Sequence, residues 1–327
     1  MIVCRVIQPG ILSTIQDTGR RGHYSEGIPE SGAFDSFAFR LGNHLLQNSH
    51  QAAGIEVLLG GFCVEFLETT WIAITGGDLG AKIDEQPVPM WETVQVTPGQ
   101  RLFFAGRQRG LRAYLLFAGG LDVPCFLDSR STYLFLKKGG FHGRKLETGD
   151  SLEAFAHPET IVACRVRTEL RPLYGSPWQL RIVYGLQDRR FTESSLERFE
   201  SSIWTVTSEV DRVGVRLKGF PLEFKTPVGP PLKKLGGTEP SNIATEGNPL
   251  GSIQFPGEDQ IIVIGPDGPC EGGYVKLGTI ISADFYLLGQ VTPGDKVKFK
   301  SVTLDEAYQE LFRQKWICEE FGALQRD

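Results

Sequence analysis

VTPGQRLFF (96–104) decides how this chain of 327 residues is to be read. Proline presets φ for the first corner of a turn and glycine accepts the positive φ of the second, the pair a type II turn requires. The residues that follow are β-prone. The same Gly-centred turn before an alternating strand recurs at LETGDSLEAF (146–155) and VTPGDKVKF (291–299). Its presence in both halves argues for two related β domains. Working outward, FCVEFLE (62–68), WIAITG (71–76), RAYLLFAG (112–119), QLRIVYG (179–185) and QIIVIG (260–265) are short β-prone runs divided by turn residues. Such runs favour barrels or sandwiches over alternating β/α units.

Helices are few. Residues 35–48 carry Ala38, Leu41 and Leu45 on one face behind an N-capping Asp35, and Thr192 to about Ser201 is a shorter candidate. Thr303-Leu-Asp-Glu306 is a capping box, followed by Tyr308, Leu311 and Phe312, whose apolar face is expected to pack on the C-terminal barrel. Prolines in TELRPLYGSPW place a boundary near 168–178, giving domains of 1–170 and 171–327. The Pro-, Gly- and Lys-rich segment 225–257 reads as a long excursion from the second domain.

Composition narrows the classes. A net charge of -5 without a long basic run argues against a nucleic-acid groove. No stretch approaches the ~20 apolar residues that span a bilayer, and MIVCRVIQPG lacks the pattern of a signal peptide, so a cytoplasmic protein is expected. Six scattered cysteines and five histidines show no ligand spacing, which points to buried free thiols and no metal site.

Four polar clusters could carry chemistry. QDTGRRGHYSEGIPESGAFD (16–35) sets Asp17, Arg20, Ser31 and Asp35 among glycines just before a helix, where backbone N–H groups and charges can meet a ligand. Ser129-Arg130-Ser131-Thr132, with Gly139-Gly140 and Gly143-Arg144, offers hydroxyls and two guanidinium forks to an anion. Asp211-Arg212 with Gly214 and Arg216 forms the third. Gly251-Ser252-Ile253-Gln254 with Gly272-Gly273-Tyr274 and Lys276, suited to an amide or a carboxylate, forms the fourth. Each has a structural reading as well: a capped turn, or a loop held by an internal Asp–Arg pair. Gly-Gly pairs at 60–61, 76–77, 119–120, 139–140, 236–237 and 272–273 make neither a P-loop nor a Rossmann fingerprint.

In order and spacing these motifs resemble the family of 5-oxoprolinase C subunits, also known as the Kip-antagonist or carboxyltransferase subunit-2 family. The matching residues are Gln16-Asp17-x-Gly19-Arg20, Gly27-Ile28-Pro29-x-Ser31-Gly32-Ala33-Phe34-Asp35, Leu59-Gly60-Gly61 and the clusters above, ending at Pro293-Gly294-Asp295. Pro269-Cys270-Glu271 and Val275, around the second Gly-Gly-Tyr, depart from the pattern. The resemblance implies tandem cyclophilin-like β-barrels. It also implies two partners, the B and A subunits of 5-oxoprolinase, and ATP-driven opening of 5-oxo-L-proline to L-glutamate. Activating a lactam oxygen with ATP needs positioned cations and N–H donors more than a nucleophile. The expected catalytic residues are therefore Arg144, Arg130, Ser131 and Asp17. Arg20, Ser31, Asp35, Ser129, Arg212, Gln254, Gly272, Gly273 and Tyr274 are expected to bind substrate or nucleotide. Asp17, Arg20, Ser31 and Asp35 are expected to share one groove with Arg130, Ser131 and Arg144. Two alternatives stand beside this. One is a carboxyltransferase-type subunit acting on urea or a related amide, with biotin on another protein because no Met-Lys-Met segment is present. The other is a non-catalytic antagonist of a kinase inhibitor.

Overall fold

The structure, a computed structural model, describes residues 1–157, 161–225, 240–319 and 324–326. It is mainly β, with helices α1 (Ser36–Leu45), α2 (Glu193–Ser201), α3 (Phe285–Leu288) and α4 (Leu304–Glu319). Two compact units are present. The first comprises 1–20, 31–174 and 313–327, and the second 21–30 and 175–312. The chain thus changes unit between Tyr174 and Gly175, but two segments depart from a linear division at 170/171. Residues 21–30, the middle of the first polar cluster, group with the second unit, and the C-terminal segment groups with the first, where Leu324–Arg326 pairs with Cys164–Val166. No helix among the described residues is long and apolar enough to cross a membrane.

The first unit is built from two sheets around one core. One runs Ser151–Glu153, Ile2–Pro9, Phe62–Phe66, Arg101–Phe104, Ala81–Ile83, Gln86–Pro87; the other runs Leu12–Gln16, Gly54–Leu58, Arg109–Phe117, Thr70–Asp78, Thr93–Val96. Alternation along the strands sends Val3, Phe62, Val64, Phe66, Leu102 and Phe104 of one sheet against Ile15, Ile55, Val57, Ile72, Ile74, Leu115 and Phe117 of the other. Helix α1 buries Ala38, Leu41 and Leu45, and Asp35 caps it by accepting from the Ala38 N–H at 2.9 Å.

The second unit closes. Trp178–Tyr184, Lys296–Ser301, Trp204–Val210, Gly214–Lys218, Gln260–Ile264, Ser252–Phe255 and Glu271–Ile280 pair in that order, and the last returns to the first. Closure removes open sheet edges, and Asn242–Gly247 adds one outer strand on Glu271–Ile280. Phe199 of α2 stacks on Phe299 with centroids 4.8 Å apart and meets Trp204 at 5.6 Å, so the helix plugs the barrel with aromatic surface.

The three repeated turns share one hydrogen-bonding scheme. Gly99, Gly149 and Gly294 have φ of 88°, 93° and 89°. Gln100, Asp150 and Asp295 each donate back three residues, to Thr97, Glu147 and Thr292. Each glycine N–H also donates to a strand residue (Phe66, Val6 or Val206) whose own N–H returns to the residue after the glycine. The echo in the sequence is therefore a repeated structural device.

Two expectations need correction. Helix α4 has its capping box, with Glu306 accepting from the Thr303 N–H at 2.7 Å, but Tyr308 and Phe312 are exposed. Ala307 and Leu311 are half-buried, and Glu310 of the same helix pairs with Arg181 at 3.3 Å, so only part of the expected apolar face is covered. The expected excursion 225–257 is interrupted by two barrel-associated strands, Asn242–Gly247 and Ser252–Phe255. Its residues 226–239, with the 236–237 glycine pair, lie outside the described residues.

Candidate functional site

Asp17, Ser129, Ser131, Arg130 and Arg20 do come together, as a buried lock. Asp17 Oδ1 accepts from the Gly19 N–H at 2.7 Å and from the hydroxyls of Ser129 at 2.7 Å and Ser131 at 2.5 Å, while Oδ2 accepts from the Arg130 N–H at 2.5 Å. The carboxylate is 3 % exposed and both serines are fully buried. Arg20, 1 % exposed, donates to the carbonyls of Ser131 and Phe126 and lies over the Phe126 ring. A carboxylate this buried and met by four donors acts as a structural acceptor, joining the end of Leu12–Gln16 to the Ser129–Ser131 loop. Ser131, with its hydroxyl donating to Asp17 and accepting from the Asp17 N–H at 3.0 Å, is likewise engaged.

The other first-unit candidates are braced in the same way. The Arg130 side chain donates to the Val123 carbonyl at 3.1 Å and covers the Phe155 ring. Both prongs of Arg144 meet Asp150, at 2.7 and 2.8 Å, and clamp the repeated turn there. Burial alone would raise the Asp150 carboxyl, but hydrogen bonds from Arg144 and the Glu147 N–H outweigh it and hold the group below its ordinary range. Asp35 accepts from Ala38 and from the Tyr174 hydroxyl at 2.6 Å. Ser31, at φ 55°, is buried. Asp17 is thus enclosed with Ser129, Arg130 and Ser131, while Arg144 is paired with Asp150 and Asp35 with Tyr174.

Sequence reasoning missed a second buried network next to α1. Glu56 Oε2 accepts from the Tyr114 hydroxyl at 2.9 Å and the Phe34 N–H at 3.0 Å, while Arg112 lies 3.5 Å from Oε1. Burial first, then the neighbouring Glu56 and Asp35 carboxylates, push the Tyr114 phenol far up. Glu56, Arg112 and Tyr114 sit inside runs that read as ordinary strands, and only the charge in EVLL and RAYLLF marked them.

The second unit holds an open cleft of about 550 Å³, within the size range of small-ligand sites. It is lined by Ser208, Glu209, Val210, Asp211, Val213, Gly214 and Arg216, and by Gln254, Ile262, Ile264, Pro269 and Tyr274. The third and fourth sequence clusters therefore meet here. Tyr274 is exposed, Gln254 is 4 % exposed, and Arg216 pairs with Glu209. Asp211 Oδ1 accepts from the N–H groups of Val213 at 2.8 Å and Gly214 at 3.0 Å, which fixes the turn bearing Arg216. Arg212 points elsewhere: buried, it forks onto Asp267 at 2.7 and 3.2 Å. Lys276 turns to Glu246 at 2.9 Å. Gly272 stands against Gln254, and a Cβ there would collide with its Nε2, so this glycine serves close packing.

A model of the carboxyltransferase domain, subdomains A and B, matches residues 26–301. This chain belongs to the carboxyltransferase domain family. It is 33% identical over 303 residues to the C subunit of the Escherichia coli 5-oxoprolinase, covering 93% of this chain and 92% of that one. It is 36% identical over 305 residues to a putative urea carboxylase of Emericella nidulans, of which it spans only 24%. The crystal structure of the Kluyveromyces lactis urea carboxylase matches 99% of this chain with a TM-score of 0.90 at 30% identity, using 30% of that chain. Within this carboxyltransferase domain, the cleft adds Glu209 and Ser208 to the residues that the sequence singled out. Asn248, in the turn that leads into the Gln254 strand, accepts from Gln254 Nε2 at 3.0 Å. Its signal was the Asn-Pro pair at 248–249, which reads only as a turn.

Proposed function

We propose that this chain is the C-type subunit of a cytoplasmic, ATP-dependent 5-oxoprolinase complex, in which the cleft of the closed barrel holds the amide. The observation that carries the proposal is the cleft itself, which a buried amide (Gln254), a phenol (Tyr274) and a guanidinium (Arg216) all line. These groups bind and polarise an amide without supplying a nucleophile, the task left to a protein when ATP activates the carbonyl oxygen. Similarity over about nine-tenths of both chains to the Escherichia coli 5-oxoprolinase protein supports the same reading. The partner B and A subunits would supply the phosphate contacts.

One observation favours a second reading. Glu209 and Asp211 outnumber Arg216 in the cleft, a balance better suited to a neutral amide such as urea than to a carboxylate-bearing lactam. In that case the chain would work as a carboxyltransferase-type subunit with biotin arriving on another protein. Copurification with the A and B subunits, followed by ATP turnover with 5-oxo-L-proline or urea, tests both. Turnover that requires 5-oxo-L-proline and all three subunits is expected, with little from this chain by itself. Turnover that requires urea and a biotin carboxylase would replace the proposal with the second reading.

A further inference from the structure

We infer that Gln254 is locked with its carbonyl oxygen toward the cleft and reads an N–H of the bound amide. The orientation follows from a chain of hydrogen bonds with one fixed end. The Pro269 carbonyl can only accept, and Asn248 Nδ2 lies 3.1 Å from it. Asn248 must therefore present Oδ1 on its other side, where Gln254 Nε2 lies at 3.0 Å. Gln254 must donate one Nε2 N–H there, and with Gly272 packed against Nε2 the acceptor that this cleft-lining amide offers is Oε1. The Asn248 N–H, donating to the Cys270 carbonyl at 2.8 Å, pins the residue that sets the orientation. On the far side, the absent side chain of Gly272 gives Nε2 its space. Asn248 is 1 % and Gln254 4 % exposed, so neither amide can flip at low cost by turning to water.

A fixed, desolvated acceptor selects for ligands with an N–H at that point and against those that place an oxygen there. Tyr274 and Arg216, on the same cleft, offer donors to the ligand's own oxygen. A group that donates N–H and accepts at an adjacent carbonyl is an amide, cyclic or open. The inference rests on the reading that the cleft takes an amide, but not on which amide.

The test titrates the full chain with 2-pyrrolidinone, γ-butyrolactone, 5-oxo-L-proline and urea, by calorimetry or ligand-observed NMR. The lactone is the same ring with oxygen in place of N–H. Wild type should bind 2-pyrrolidinone at least about tenfold more tightly than the lactone. Gln254→Leu should bring that ratio near one, as should Gly272→Ala, which displaces the amide from the other side. Equal binding of lactam and lactone by the wild-type chain overturns the inference. So does failure to bind any of the four probes, or a folded Gln254→Leu protein that keeps the ratio. The wild-type comparison needs no variant and stands even where a substitution impairs folding. If the lactam is preferred but the reconstituted complex shows no turnover dependent on 5-oxo-L-proline, the proposed function falls and this inference stands. If turnover is present without discrimination, the inference falls and the function stands.

Discussion

Replacing Asp17 with alanine separates a scaffold from a catalyst. The carboxylate accepts from two backbone N–H groups, those of Gly19 and Arg130, and from the hydroxyls of Ser129 and Ser131. The Ser129 and Ser131 hydroxyls keep one bond each after the change, because they also accept from the N–H groups of Ser131 and Asp17. The backbone N–H groups of Gly19 and Arg130 would keep none of the bonds they make to Asp17. Leaving a buried donor unpaired costs about 1–3 kcal/mol, so Asp17→Ala should lose on the order of 4 kcal/mol. For a unit of this size, about 2–4 °C of melting temperature accompanies each kcal/mol, which predicts a fall of roughly 10 °C. Asp17→Asn keeps one acceptor oxygen but turns an NH₂ toward a donor, and should fall between. Differential scanning calorimetry on the three proteins measures this, alongside turnover in the reconstituted complex. An Asp17→Ala protein that melts within about 2 °C of wild type yet has lost turnover would refute the lock and restore Asp17 as a catalytic group.

Three further predictions concern charge. Asp150 is held below its ordinary range, so its contribution to stability is present above the unfolded value of about 3.9 and is lost as pH falls through the lower folded value. Arg144→Ala should therefore lower the melting temperature at pH 7 and converge with wild type in acid; a difference that persists unchanged at pH 2 contradicts it. Glu30 is raised by burial, with Arg21 drawing it only partly back, so its contribution is present below about pH 4.3 and lost as pH rises through the folded value. Glu30→Gln should stabilise at pH 7 and make no difference in acid, and destabilisation at pH 7 would show that the charge has a partner. Arg212→Ala should destabilise by about 3–5 kcal/mol, because Asp267 would be left as a buried unpaired charge. A denaturant midpoint unchanged from wild type would contradict that.

Much of the fold was legible because its signals are local. Pro-Gly corners, period-two runs and the Thr303/Glu306 capping box are written in consecutive residues, and each appears where its local chemistry places it. The exposed face of α4 was not legible, since amphipathic spacing in Tyr308 and Phe312 states that a face exists but not what covers it. The site was legible in part. Polar residues flanked by glycine mark loops that do something special, yet the sequence does not say whether a carboxylate such as Asp17 meets a ligand or the protein's own N–H groups. That depends on pairings over 112–114 positions, from Ser129, Arg130 and Ser131. Conversely, the Asn-Pro pair at 248–249 signals only a turn, and the effect of Asn248 on Gln254 depends on Pro269, a residue 21 positions further on.

The most direct test of the central claim, that the chemistry belongs to the closed barrel's cleft while the first unit's polar clusters are braces, is a structure of the chain with 5-oxo-L-proline or 2-pyrrolidinone bound. The amide is expected in the cleft beside Tyr274, its nitrogen about 2.9 Å from Gln254 Oε1. An amide seated instead against Ser129, Arg130 and Arg144, with the Arg144–Asp150 pair opened to receive it, would contradict the account.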